Sequence, residues 1–441
     1  MSLLRRWFDP LRSKWYYDRP QRQAHLPIGQ GIAIYLRLND VYSYLAVQQI
    51  SQLEDILVDA LKPLKIILSD QEASPPNGMS VETWQCYCLN DAKILAMQHG
   101  FAFDDMPEMP KEEAIAQAHD ILQRTPLEGR DFLYLLEDIF HMLWQQQYGK
   151  LRMLHDMLKH RQAKEDLQFR FEKKPVLTAY FTFGGRQYHA VDDLLRMTRR
   201  LQQQKLLTSS PIFLINHIEW REHLIQDVEE LTEVQSLQPE LDLYVALEDP
   251  ISWLLLSYIK DELADLYNIQ LTAYPLPYQG RDQFDWSLAT RLSKRTEVPF
   301  TPFCRPDASA VVNMAKLYYQ VEDEQRFDIL IEMLKVVWTK GQDLGFNAHL
   351  QPFLEQLGLA RLESSDVETL QKLEKNAHQC ESLQQPSFPV MVLRVDGQVF
   401  IFNSLYRVWM IESIFANILE KKSVQEAEDK QASEDENASA L

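Results

Sequence analysis

Two short acidic corners are the places in this chain best suited to chemistry. Asp40 is followed three residues later by Ser43, and Asp249 by Ser252. A carboxylate beside a hydroxyl can take a proton or hold a ligand once its surroundings have shifted its pKa. The same residues are also good helix starters. Asp is among the best N-caps, Pro is favoured at the first helical position, and a serine three residues on can bond within its own turn. Sulfur offers less. The cysteines stand at 86, 88, 304 and 380, with no Cys-x-x-Cys. Cys86 and Cys88 fall in a helical-looking stretch, where residues i and i+2 point to different faces. They are expected as reduced, separate thiols, and redox work through either is the weakest option. His155 and His160 lack zinc-site spacing, and neither a phosphate loop nor a GxSxG elbow occurs. No metal site is expected.

The corners lie within two long stretches that resemble each other. Residues 32–46 read IAIYLRLNDVYSYLA and residues 241–255 read LDLYVALEDPISWLL. Each runs from a strand-like apolar segment to the acidic corner and then into a helix. Leu45, Ile50, Leu53, Ile56, Leu57 and Leu61 set the apolar stripe in the first helix. Trp253, Leu254, Tyr258, Leu263 and Leu266 set it in the second. KIILS (65–69) and IQLTAYPL (269–276) follow as strands, which makes two βαβ units with parallel strands. Further on, Pro175-Val176 and Pro389-Val390 each open a strand, a Gly-bearing turn, a second strand and an amphipathic helix. The turns are Gly184-Gly185 and Asp396-Gly397, both strong hairpin signals. Corners and prolines recur at nearly equal spacing, the mark of an internal duplication. Between the halves, about 105–170 and 283–385, periodic polar helices read as an insertion in each copy. The expected organisation is a basic aromatic arm (1–28), domain 1 (29–206), a connector (207–238), domain 2 (239–420) and an acidic tail (421–441). The tail has no periodicity and is expected to be disordered or a frayed helix end.

The chain has 441 residues, 46% of them hydrophobic, too many for a single ordinary core. No apolar run approaches the roughly 20 residues of a membrane helix, and the N-terminus lacks an apolar core of signal-peptide length. A cytoplasmic protein is therefore expected. The net charge of -19 argues against a nucleic-acid partner. The arm runs against that charge: Arg5, Arg6, Arg12, Lys14, Arg19 and Arg22 interleave with Trp7, Phe8, Trp15, Tyr16 and Tyr17. It reads either as docked on the protein's own acidic body or as a membrane-surface or acidic-partner arm.

Strand, acidic corner, helix, strand, helical insertion, proline, hairpin and helix is an order that resembles the DsbA-like branch of the thioredoxin fold. Finer details resemble the 2-hydroxychromene-2-carboxylate isomerase and kappa-class glutathione transferase group. The corner segments Asp40-Val41-Tyr42-Ser43-Tyr44-Leu45 and Asp249-Pro250-Ile251-Ser252-Trp253-Leu254 match its Ser-Pro-Tyr-Ser-Tyr/Trp-Leu segment. DAKILAMQHGFAF (91–103) and RLSKRTEVPF (291–300) match a later helix ending, and the segments from Pro175 and Pro389 match the close of the domain. The resemblance implies an α/β chain of two tandem DsbA-like domains, each βαβ plus ββα with a helical insertion. It implies glutathione as cofactor and a small apolar or aromatic substrate. Asp40, Ser43, Asp249 and Ser252 fall at its catalytic positions; Pro175, Pro389, Asp192 and Ser404 fall at its cofactor-binding positions. Pro389, and less strongly Pro175, is expected to be cis and to face the corner.

The chain departs from that pattern where it matters most. Asp40 and Asp249 replace the reactive first residue of the corner. Thiol–disulfide exchange needs a sulfur there and is excluded at these positions. A fixed carboxylate would also raise the pKa of a bound thiol, the wrong direction for activating it. Two functions remain: a glutathione-dependent isomerase or transferase-like enzyme, and a binding or scaffold protein that kept the fold and lost the chemistry. The two domains are expected to pack together as a pseudo-dimer. Aromatic side chains of the insertion filling the space above the corner would count against the enzyme.

Overall fold

The computed structural model describes residues 31–75, 79–103, 108–125, 129–160, 169–172, 175–209, 223–280, 286–301 and 305–439. The basic arm and Cys304 lie outside the described residues. The chain divides into two compact units, one of them Gln23–His217 and the other containing Ile218–Leu441.

In the N-terminal unit, β1 (Ala33–Leu36) turns through Asp40 into α1 (Val41–Ile56), and β2 (Lys65–Ser69) returns parallel to β1, with Ile34 opposite Ile66. α1 buries Leu45, Ile50, Leu53 and Ile56, the stripe expected from their spacing. Four helices fill the insertion: α2 (Val81–His99), α3 (Glu112–Arg124), α4 (Gly129–Trp144) and α5 (Tyr148–Leu158). β3 (Phe169–Glu172) then adds to the outer side of β2. β4 (Tyr180–Phe183) pairs antiparallel with β1 and turns through Gly184-Gly185 into β5 (Arg186–His189), and α6 (Leu194–Gln203) closes the unit. Both turn glycines have positive φ, 59° and 71°, as a two-residue hairpin of right-handed twist requires. The sheet order is β3-β2-β1-β4-β5.

The C-terminal unit opens with α7 (Val228–Ser236) and repeats the scheme. β6 (Glu240–Ala246) leads to Asp249 and α8 (Pro250–Tyr258). That helix passes through a π turn (Ile259–Ala264) into the short α9 (Asp265–Tyr267), and β7 (Gln270–Leu276) returns parallel to β6. The insertion here is α10 (Trp286–Thr296), α11 (Ala308–Gln320), α12 (Arg326–Lys340), α13 (Asn347–Gln356) and α14 (Asp366–Ser382). β8 (Val390–Val395) and β9 (Gln398–Asn403) form the hairpin, and α15 (Met410–Ser439) follows. The sheet order, β7-β6-β8-β9, is that of the N-terminal sheet without its β3. Where β3 covers β2, side chains take the carbonyls of β7. Tyr318 Oη donates to Ala273 O, and Asn376 Nδ2 to Pro275 O at 2.8 Å. Pro275 itself suits an edge strand, because it has no N–H to leave unpaired.

α15 continues through the segment expected to be disordered or a frayed helix end, as far as Ser439. Its Glu, Ala, Gln and Lys are good helix formers extending a helix already started, so an apolar stripe is not needed to continue it. The strand register corrects the expected equivalence of Pro175 and Pro389. Tyr35 of β1 pairs with Tyr180, and Tyr244 of β6 pairs with Val390. The residue in register with Pro389 is therefore Ala179, not Pro175. The β8–β9 hairpin is longer, with six cross-strand pairs against four in β4–β5. This difference brings the two prolines into apparent step in the sequence while displacing them in the sheets.

Candidate functional site

The corner of the N-terminal unit is a closed hydrogen-bond network. Asp40 caps α1 from extended backbone (φ -107°). Its Oδ2 accepts from Ser43 N–H at 2.9 Å, Ser43 Oγ–H at 2.6 Å and Ala179 N–H at 2.9 Å; Oδ1 accepts from Tyr42 N–H at 3.4 Å. Ser43 Oγ in turn accepts from Arg37 N–H at 2.9 Å. Asp40 is 6% exposed and Ser43 0%. Burial pushes the Asp40 carboxyl above its ordinary value, against the opposing pull of its bonds to Ser43 and Ala179 and of the Arg37 and His189 charges. Arg37, itself buried, donates from Nη1 to Val176 O at 2.9 Å and pairs with Glu72 at 3.0 Å. Positions 40 and 43 lie three residues apart, and their side-chain oxygens bond each other.

Sequence reasoning missed the polar groups that line this corner. Tyr42 Oη donates to Asp91 Oδ2 at 2.5 Å, and its ring meets the His189 ring edge-on at 5.1 Å. Cys88 is buried close by, its thiol pushed far above the ordinary range by burial and then by the Asp40 and Asp91 charges. It is a poor nucleophile. The signal that could have found this cluster is the run of titratable residues on α2 facing Tyr42. The run is invisible without knowing that α2 lies against α1.

The C-terminal corner has a similar cap geometry. Asp249 caps α8 and accepts from Ile251 N–H at 3.0 Å, and it is only partly buried. Ser252 occupies the place of Ser43 and is 0% exposed, yet its Oγ has no hydrogen-bond partner among the described residues. The register explains part of the contrast. Ala179 offers an N–H to the first corner, whereas Pro389 in the same register has none. Neighbouring Glu248 is fully buried and accepts from Gln279 N–H at 2.7 Å.

The remaining expected site residues divide unevenly. Phe388–Pro389 is cis, as expected, and Pro389 O accepts from Ser404 N–H at 3.0 Å, so these two residues meet. The peptide bond before Pro175 involves Lys174, which lies outside the described residues. The equivalent of the Ser404 bond in the first unit is Ala190 N–H to Ala179 O at 2.9 Å, which puts Ala190, not Asp192, in register with Ser404. Asp192 instead engages His189: its N–H donates to Nδ1 at 3.2 Å and its carboxylate lies 3.4 Å from the same atom. Insertion aromatics pack on both corner helices or beside them. The Trp144 ring lies parallel to Tyr44 at 6.0 Å, Tyr44 Oη bonds His141, and Trp253 Nε1 donates to Pro299 O at 2.9 Å. Trp338, fully buried, contacts Trp286 and Phe300, each at 6.0 Å. Among the described residues, no cluster of His, Cys, Asp and Glu could hold a metal ion.

No protein-family model and no curated protein matches the chain. Among solved structures it is similar to a 2-hydroxychromene-2-carboxylate isomerase, at 16% identity and a TM-score of 0.34, over 42% of this chain and 98% of that one. It is likewise similar to a putative protein disulfide isomerase from Nitrosomonas europaea (16%, TM-score 0.33, 42% and 98%). A third is the cytosolic disulfide reductase DsbM from Pseudomonas aeruginosa (14%, TM-score 0.29, 42% and 99%). Each likeness spans less than half of this chain. The fold reading rests on the strand order and registers above. No helix among the described residues is long and apolar enough to cross a membrane.

Proposed function

We propose that the chain is a tandem duplication of a DsbA-like thioredoxin domain that works by binding rather than by disulfide exchange. The N-terminal corner serves structure, and the C-terminal corner keeps the ligand site. One observation carries this reading: Asp40 and Ser43 bond each other, while the buried Ser252 hydroxyl in the matching place has no partner among the described residues. Other buried polar atoms of the chain also lack a partner among the described residues, but Ser252 Oγ is the one at the N-terminus of a corner helix, where a free hydroxyl fits a group that bonds a ligand. Asp249, Ser252, Pro389 and Ser404 are the residues that would meet it. Glutathione is the first ligand to test, on the resemblance of the corner segments. Asp40, Ser43, Pro175 and Asp192 drop to structural roles in this reading. The packed insertion aromatics weigh against a roomy substrate cleft, and so against the glutathione-dependent isomerase.

Calorimetry of glutathione on the full chain tests this, with Ser252→Ala, Asp249→Ser and Asp40→Ser alongside. Binding by the wild type that Ser252→Ala weakens, and that Asp40→Ser leaves alone, supports the assignment. No binding by any form overturns glutathione as the ligand. Binding abolished by Asp40→Ser in a folded protein would move the site to the other unit. If glutathione binds, turnover of a 2-hydroxychromene-2-carboxylate by the wild type would restore the enzyme reading.

A further inference from the structure

We propose that the α6 face of the N-terminal unit is a docking surface for a short acidic segment of a partner protein. The chain carries 64 acidic and 45 basic residues, yet residues 186–205 hold four arginines and one lysine against two aspartates. The folded structure gathers these charges. Arg186 lies directly opposite Phe183 in the β4–β5 hairpin, so both side chains leave the same face of the sheet. The Arg200 guanidinium lies 5.9 Å from the centre of that Phe183 ring, and its Nη1 donates to Tyr188 Oη at 2.8 Å. Arg196 lies 4.9 Å over the Tyr188 ring and pairs with Asp193 at 3.0 Å. Arg196, Arg199 and Arg200 share one side of α6 by their three- and four-residue spacing. Arg186, Arg199 and Lys205 are exposed.

Two features select the partner. The Arg196 and Arg200 guanidinium groups lie over aromatic rings, Arg196 also braced by Asp193 and Arg200 by Tyr188 Oη, which restricts both side chains before a partner's carboxylate arrives. Arginine forks take carboxylates two bonds at a time. The patch is also short: a helix the length of α6 spans about 14 Å, which about four or five extended peptide residues would cover at ~3.3 Å each. A nucleic-acid duplex or an anionic bilayer would run past it onto a body of net charge -19 and be repelled. Adding the peptide as an extra strand on β5 is disfavoured, because Asp193 already accepts His189 N–H at 3.1 Å and Arg196 donates to Gln187 O at 3.5 Å. The contacts are therefore between side chains across the α6 face.

The test is fluorescence anisotropy of a labelled octaglutamate peptide on the full chain at low and physiological salt. Arg186→Glu/Arg199→Glu is the variant, its fold checked by circular dichroism; both positions are exposed. Binding that weakens with salt, and about tenfold or more in the variant, supports the surface. Arg200→Lys keeps the charge but not the fork, and should weaken binding less than the double reversal. No peptide binding by the wild type, or equal binding by wild type and folded variant, overturns the proposal. Tighter binding of an oligonucleotide of equal charge, or of phosphatidylserine vesicles, overturns the choice of partner.

Discussion

Removing the two corner carboxylates one at a time should give unequal losses of stability, though both residues cap the same helix of the same fold. Asp40→Ala loses an N-cap, a change that costs about 1 kcal/mol. Beyond that cap bond to Ser43 N–H, it strands the Ala179 N–H and the Ser43 hydroxyl at a site only 6% exposed. Each buried donor left without an acceptor costs about 1–3 kcal/mol. Ser43 Oγ–H can turn to another acceptor, and a small rearrangement can admit water to one amide, so the sum settles at about 3–5 kcal/mol. Asp249→Ala loses a cap to Ile251 N–H at a partly exposed position and should cost about 1 kcal/mol. Hydrogen exchange read by mass spectrometry on the full chain separates the two units, which a single denaturation curve of a two-unit protein does not. Peptides from 33–56 should lose protection in Asp40→Ala well before those from 240–258 do in Asp249→Ala. Equal losses, or a larger one at Asp249, would refute the view that the first corner is a structural staple.

The matching serines should behave oppositely. Ser43→Ala breaks bonds to Asp40 and Arg37 and should cost about 2 kcal/mol, whereas Ser252→Ala removes a buried hydroxyl without a partner among the described residues and should be neutral or stabilising; hydrogen exchange in the peptides of each unit checks this. Asp40 also fixes a pH dependence. Its folded-state pKa lies above the ordinary 3.8, so the folded state holds the proton more tightly and the stabilisation from neutral Asp40 is complete below that value. It is lost as pH rises through the folded value. Against the non-titrating Asp40→Asn, the wild type should therefore lose relative stability from acid toward neutral pH in urea titrations, and a relative gain would contradict the burial argument. Brief iodoacetamide treatment of the native protein should label exposed Cys86 and spare Cys88 and Cys380, whose thiols are buried and, for Cys380, pushed up to about 12. Peptide mapping reads the result. At the β7 edge, Asn376→Ala strands Pro275 O and loosens Tyr319 Oη, and should cost about 2 kcal/mol in the C-terminal unit by hydrogen exchange.

What the sequence made legible was local. The apolar runs at 32–36 and 241–247, the acidic caps, the glycine turns and most of each helix stripe depend on neighbours within a few residues and appear where expected; Leu57 and Leu61 lie past the end of α1, and a π turn divides the second helix. What it hid was relational. Pro175 and Pro389 look equivalent because both precede valine and open a similar run of residues. Only the pairing of Tyr35 with Tyr180, and of Tyr244 with Val390, reveals Ala179 as the true counterpart. That single change of partner supplies an N–H to one corner and withholds it from the other. The same applies to Cys88 and Asp91 on α2 and to His189 at the end of β5, which meet Tyr42 only because two distant segments fold against α1. Two corners with nearly the same letters thus differ in what they leave available. The difference comes from a strand on the far side of β1, more than a hundred residues away from Asp40. A sequence comparison confined to the corners would score them alike, whereas the hydrogen bonds set a corner closed by Asp40 and Ser43 apart from one whose serine hydroxyl has no partner among the described residues.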